Sequence, residues 1–250
     1  MAAGFDMRRS ISSAVVAGVV LLTGACDDFS PTEPRSSQPS ARVVIDDPAG
    51  AFTQHHAALR SLIEETTATA GSAISVDVMT FDVRADPVFT IRDYGIGGFT
   101  LGPNRIEILV DPTYPNLGTA LQQRLPLVVA HELHHAVRWR GPGRPFTLLE
   151  WLAFEGLADH FAIELLGTPL QPWSQAFPES ETDFYLDLAR ADFDNAAFDY
   201  QGWFFGADPR LPYWAGYTLG FHMVADYQAR TGRAAAALVN TPADAFRPPP

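Results

Sequence analysis

The chain has 250 residues, 47% of them apolar, enough to bury a core and form one main domain. A net charge of −12 and a pI near 4.9 exclude nucleic acid and an anionic membrane surface as electrostatic partners, and no basic stripe offsets them. The single cysteine, Cys26, excludes an intramolecular disulfide.

Met7, Arg8 and Arg9 form a short basic segment ahead of Ile11 to Thr23, an apolar run too short to span a bilayer comfortably. Leu22 to Cys26 then reads LTGAC, small residues leading into the cysteine. This string resembles the lipobox of bacterial lipoproteins, with Thr23 standing where Leu is more usual. The resemblance implies lipidation of Cys26 as the mature N-terminus and export to the bacterial cell envelope. An ordinary cleaved signal peptide with an incidental cysteine is the alternative. Residues 1–26 are therefore expected to be a signal peptide. Residues 27–42 are rich in Pro and Ser and nearly free of apolar groups, so they are expected to be a flexible linker. Membrane contact is expected only through the N-terminal lipid anchor.

The folded domain is expected over residues 43–233. Phe52, Leu59, Leu62 and Ile63 recur at helical spacing and predict a helix over 50–70. Its adjacent His55 and His56 point about 100° apart and read as surface residues. From Ala73 the period changes to two, and Ile74, Val76, Val78 and Phe81 predict a strand. The glycine-rich stretch GIGGFTLG, residues 95–102, lacks the spacing of a nucleotide loop. Arg105 to Val110 is a second strand with Ile106 and Ile108 on one face, so a small, twisted, antiparallel sheet is expected in front of helices. Thr119 and Gln122 fit a capping box, and Pro126 either starts a helix or kinks one. Leu127 to Arg140 is helical, Gly141-Pro142-Gly143 ends it, and Thr147 to Leu166 is the next helix. Residues 169–178 read as loop, Glu181–Asp199 and Tyr213–Arg230 as further helices, and 234–250 as a frayed tail. The expected fold class is α+β, a small sheet packed on a helix pair with a mainly helical C-terminal half.

The chemistry is concentrated between Val128 and His160. His131, Glu132 and His135 form an HExxH motif whose histidines lie on one helical face, within reach of a single metal ion. Zn2+ suits imidazole and carboxylate ligands and keeps a position open in catalytic sites. The third ligand must come from elsewhere, and Glu155, twenty residues after His135, is the candidate, because Gly141–Gly143 let the chain reverse. Glu150 competes for that role. Asp159, one turn beyond Glu155, is placed to accept the free N–H of His131. His134 and His160 are rotated off the ligand face and read as neighbours of the metal. Glu132 would act as general base, and Tyr217 or His222 would stabilise the oxyanion; Tyr217 is the better donor and equally reads as a core aromatic.

This spacing of HExxH, Glu155 and Asp159 resembles the thermolysin-like gluzincins. The strings HELHH and EGLAD are similar to those of an uncharacterised bacterial family of zinc-dependent proteases. The resemblance covers about residues 128–160 and implies zinc held by His131, His135 and Glu155, with Glu132 as base and Asp159 as support in a zincin-like metallopeptidase domain. A second thermolysin domain and its calcium loops are absent from the sequence. The expected function is an exported zinc-dependent peptidase acting on a peptide or protein; the alternative is a zinc-binding envelope lipoprotein without turnover.

Overall fold

A computed structural model describes residues 39–249. The expected signal segment, lipidation site Cys26 and most of the linker lie outside these residues. The linker's last residues do not: strand β1 (Ser40–Asp46) begins at Ser40, inside the stretch expected to be flexible. Its Val43 side chain reaches the core.

Helix α1 (His56–Gly71) follows, with Leu59 and Ile63 buried one turn apart. Phe52 is also buried, just ahead of the helix. Neither of the paired histidines is fully exposed, and His56 Nε2 lies 3.0 Å from Asp47 Oδ2. Strand β2 (Val78–Ala85) buries Met79, Phe81 and Val83. Ile74 and Val76 are buried in the turn before it, while Val78 is 53% exposed. The expected strand therefore starts later than Ala73, because Phe81 lies an odd number of residues from Val78 and the two cannot share a face. Strand β3 (Ile96–Gly102) occupies the glycine-rich stretch, and β4 (Arg105–Val110) forms as expected, with Ile106 and Ile108 buried.

The four strands make one sheet in the order β1-β2-β4-β3. β1 pairs parallel with β2, and β2 parallel with β4; only the β3–β4 hairpin is antiparallel. The sheet is thus mixed rather than antiparallel. The long excursion through α1 returns the chain parallel to β1, whereas the short Pro103–Asn104 turn permits only a hairpin.

Helix α2 (Leu117–Arg140) runs unbroken through Pro126 and packs on α1, β3 and the next helix. Its N-cap is Asn116 in the left-handed region, with no side-chain capping bond, so Thr119 and Gln122 lie inside the helix rather than at its start. Helix α3 (Leu148–Leu166) begins with a capping box between Thr147 and Glu150 and stops at Gly167, φ +63°. The helix predicted over Glu181–Asp199 is cut short: α4 (Thr182–Arg190) ends in an irregular turn, and a separate helix, α5 (Tyr200–Phe205), starts just beyond the predicted range, capped by the Asp199 carboxylate on Gly202 N–H. Helix α6 (Ala215–Thr231) packs tightly on α3. The tail is ordered rather than frayed: α7 (Ala235–Leu238) and a 3-10 turn at Ala243–Phe246 bury Leu238 and Phe246. Apolar burial of these two side chains outweighs the polar, proline-rich composition around them. The molecule is α+β, as expected. No helix among the described residues is long and apolar enough to cross a membrane.

Candidate metal centre

One face of α2 carries His131 and His135, and the facing surface of α3 carries Glu155. Nε2 of each histidine lies 3.2 Å from the same Glu155 oxygen, Oε2. Donor atoms of a tetrahedral zinc site with ligand bonds near 2.0–2.1 Å are separated by roughly 3.3 Å, so the spacing fits that ion. No other group of three His, Cys, Asp or Glu side chains among the described residues comes together in this way.

The charges around the triad are arranged for a cation. Asp159 Oδ1 lies 2.9 Å from His131 Nδ1, which leaves Nε2 directed at Glu155. Burial by itself would lower the His131 pKa, but hydrogen bonds to Asp159 and Glu155 outweigh it and hold the ring well above its usual range. Burial would raise Glu155, yet His135 and His131 bring it down to about 2. Both groups favour the charged form without a metal, as expected of a carboxylate facing two imidazoles.

Asp159 is itself fixed by a 3-10 turn, Pro172–Gln175. The Trp173 indole N–H donates to Oδ1 at 2.8 Å, and the Ser174 hydroxyl donates to Oδ2 at 3.1 Å. Thr218 on α6 locks that turn, donating to the Trp173 carbonyl and accepting from the Ala176 N–H. The proline-rich segment therefore contributes a support for the site. Phe154 stacks on the His135 ring at 3.9 Å, within 3° of parallel, restricting its rotation.

The crossing of α3 and α6 brings the aromatic side of the site into place. A Cβ on Gly156 would lie 2.2 Å from the Gly220 carbonyl oxygen, and one on Gly220 would lie 2.2 Å from the Leu152 carbonyl oxygen. Only reciprocal glycines allow these backbones to approach so closely. Tyr217, one turn before Gly220, is thereby held beside Glu155. Burial first, and then Glu155, Tyr200, Asp159 and Glu132, push its ionisation well above the ordinary range. Tyr200 on α5 feels Glu155 and Glu132 in the same way and stacks on Phe204 at 4.9 Å. Both phenols keep their protons, and neither hydroxyl has a hydrogen bond among the described residues.

The structure brings His131, Glu132, His135, Glu155, Asp159 and Tyr217 into one neighbourhood. Other candidates go elsewhere. Glu150 accepts from the backbone N–H groups of Phe146 and Thr147 at the start of α3 and is not in the triad. His134 is fully buried against Phe161, with both ring nitrogens unpartnered among the described residues. His160 donates from Nε2 to the Phe221 carbonyl at 3.0 Å. His222 is bonded to the Thr182 hydroxyl and is influenced by Glu179 and His160, not by the triad. Two contributors escape the sequence reading. Tyr200 lay just past the predicted Glu181–Asp199 helix, in a stretch assigned to no element, although Asp199 followed by Gly202 signals a helix start. Thr100 lay in a stretch read only as glycine-rich; its hydroxyl lies 2.7 Å from Glu132 Oε2.

A model of the family described as "Predicted Zn-dependent protease (DUF2268)" matches residues 56–247. The chain is also 30% identical over 157 residues to the uncharacterized protein YjfC of Bacillus subtilis (strain 168), covering 57% of this chain and 51% of that one. It therefore spans about half the length of that relative. No solved structure matches the chain. The family match runs from the start of α1 to the buried tail and takes in the whole His131–His135–Glu155 cluster, so the chain belongs to this family of predicted Zn-dependent proteases.

Proposed function

We propose that the chain is an exported zinc-dependent peptidase in which His131, His135 and Glu155 hold Zn2+ and Glu132 is the general base. The observation that carries this reading is the convergence of two imidazole Nε2 atoms on one Glu155 oxygen, with Asp159 behind His131. Zinc held there supplies Lewis acidity toward water and toward the substrate carbonyl. Glu132, next to the triad but not part of it, takes a proton from the attacking water and returns it to the leaving amine. A protonated phenol, Tyr217 or its neighbour Tyr200, donates to the oxygen that becomes negative as the carbonyl is attacked. Asp159 accepts the Nδ1 proton of His131 and so keeps Nε2 free for the metal. The substrate is a peptide or protein. The basic segment, apolar run and Cys26 support placing the domain at the cell envelope on a lipid anchor, with nucleic acid excluded by charge.

The test is zinc content and cleavage of a peptide library by the wild type beside Glu132→Gln. The variant is expected to keep its zinc and to lose about 100- to 10,000-fold in kcat. Full activity in Glu132→Gln would remove Glu132 from the mechanism.

A further inference from the structure

Glu132 is held from one side by strand β3. The Thr100 hydroxyl lies 2.7 Å from Glu132 Oε2 and 2.9 Å from the Glu132 main-chain oxygen. It has one proton to give, and the charged carboxylate is the stronger acceptor. Two residues earlier, Gly98 presents no side chain. A Cβ there would lie 2.7 Å from Glu132 Cγ and 3.0 Å from Glu132 Oε1. Residues two apart on a strand share a face, so Gly98 and Thr100 meet the same carboxylate. One meets it by bare contact and the other by a hydrogen bond. Oε1 accepts no hydrogen bond among the described residues and is not sealed away as a buried unpartnered atom. The two oxygens of Glu132 are therefore unequal.

We propose that Gly98 and Thr100 are positioning residues for Glu132: Thr100 pins Oε2, and Gly98 leaves the space in which Oε1 receives the proton of the attacking water. This rests on the peptidase reading above. In the step, a water O–H bond breaks and an Oε1–H bond forms. The water oxygen bonds to the substrate carbonyl carbon and the C=O π pair moves onto the carbonyl oxygen. When that pair returns, the C–N bond breaks and the leaving nitrogen takes the proton from Oε1. A glutamate free to turn about its terminal bond would present either oxygen and spend part of its time facing the strand. A hydrogen bond to one oxygen removes that freedom. Packing alone does not need a hydroxyl at this position, since valine has nearly the same shape and a higher preference for strands.

The experiment compares wild type, Thr100→Val and Thr100→Ser by zinc content, thermal unfolding, kcat, KM and crystal structure. In Thr100→Val, kcat is expected to fall by about 10- to 100-fold, the loss associated with one hydrogen bond to a charged group. KM and zinc content should stay near wild type. Thr100→Ser, which keeps the hydroxyl, should recover most of kcat. The crystal structures should show Glu132 in one orientation in the wild type and turned, or in two orientations, in Thr100→Val. Wild-type kcat in Thr100→Val, or a Thr100→Ser variant as impaired as Thr100→Val, would overturn the proposal. A zinc-loaded wild type that cleaves no peptide would instead contradict the peptidase reading. The crystallographic comparison still decides the clamp in that case, because an unchanged Glu132 in Thr100→Val refutes it without reference to activity.

Discussion

At the scale of single residues, burial works against the charged form of His131, yet Asp159 and Glu155 outweigh it and hold the ring well above its ordinary range. Its raised pKa means that, without metal, the folded state binds a proton more tightly than the unfolded chain does. The pairing of His131 with Asp159 and Glu155 therefore adds stability that is fully present below the ordinary histidine value of 6.5 and is lost as pH rises through the raised one. Glu155 works in the opposite sense. Its contribution is present above its ordinary value of 4.5 and is lost as pH falls through about 2. Both contributions are thus complete between about pH 4.5 and 6.5, where the metal-free protein gains most from them. In the proposed site zinc needs a neutral His131, so metal and proton would compete for this ring. Zinc affinity is expected to rise by about tenfold per pH unit until pH passes the His131 pKa, with proton release on binding. Calorimetric titration in buffers of different ionisation enthalpy measures both effects. An affinity independent of pH across the neutral range would show that His131 carries no such proton.

Among elements, the α3–α6 crossing does most to assemble the site. Gly156 sits directly after Glu155, and Gly220 lies one turn after Tyr217. The tight crossing of the two helices is thus built beside Glu155 on one and Tyr217 on the other. Gly156→Ala would place its Cβ against backbone atoms of Gly220 and Phe221, which cannot rotate away. The helices must separate, at a cost of about 1–3 kcal/mol or more. The variant is expected to lose thermal stability and zinc affinity together. Unchanged values of both would mean that the crossing is looser than its contacts indicate. The role of this crossing was not legible in the sequence, because a glycine within an apolar helix does not announce its partner. The facing side chains of the candidate site were legible: the four-residue spacing of His131 and His135, and of Glu155 and Asp159, fixes which side chains align on each helix. Strand β4 was legible for the same reason, through its period of two. β3 was obscured because Gly97 and Gly98 removed the side chains that would have displayed the alternation. The early end of α4 at Arg190 was obscured because aromatic and acidic residues continue at near-helical spacing toward Asp199.

For the whole molecule, the tail packs against α2 and α6, the first of which carries His131 and His135. Arg138, near the end of α2, is 2% exposed and donates from Nη1 to the main-chain oxygens of Val239 and Thr241 at 3.0 and 2.7 Å. Burial brings its pKa down to about 10, leaving it charged at neutral pH. Phe246, 1% exposed, packs on Tyr227 of α6. Composition suggested a loose end, since the segment finishes in Arg-Pro-Pro-Pro; the tertiary contacts of Leu238 and Phe246 decided otherwise. Phe246→Ala is expected to destabilise the protein by about 3–5 kcal/mol in denaturant unfolding, against a few tenths for a frayed end. A change below 1 kcal/mol would contradict the ordered tail.

In the proposed peptidase, α2 and α3 hold one catalytic zinc between them. Metal analysis of the purified wild type beside Glu155→Ala tests this most directly. About one zinc per chain is expected in the wild type and a large loss of zinc affinity in the variant, because three protein ligands become two. Wild-type protein that takes up no zinc, or a Glu155→Ala variant that binds it as tightly as the wild type, would contradict the account.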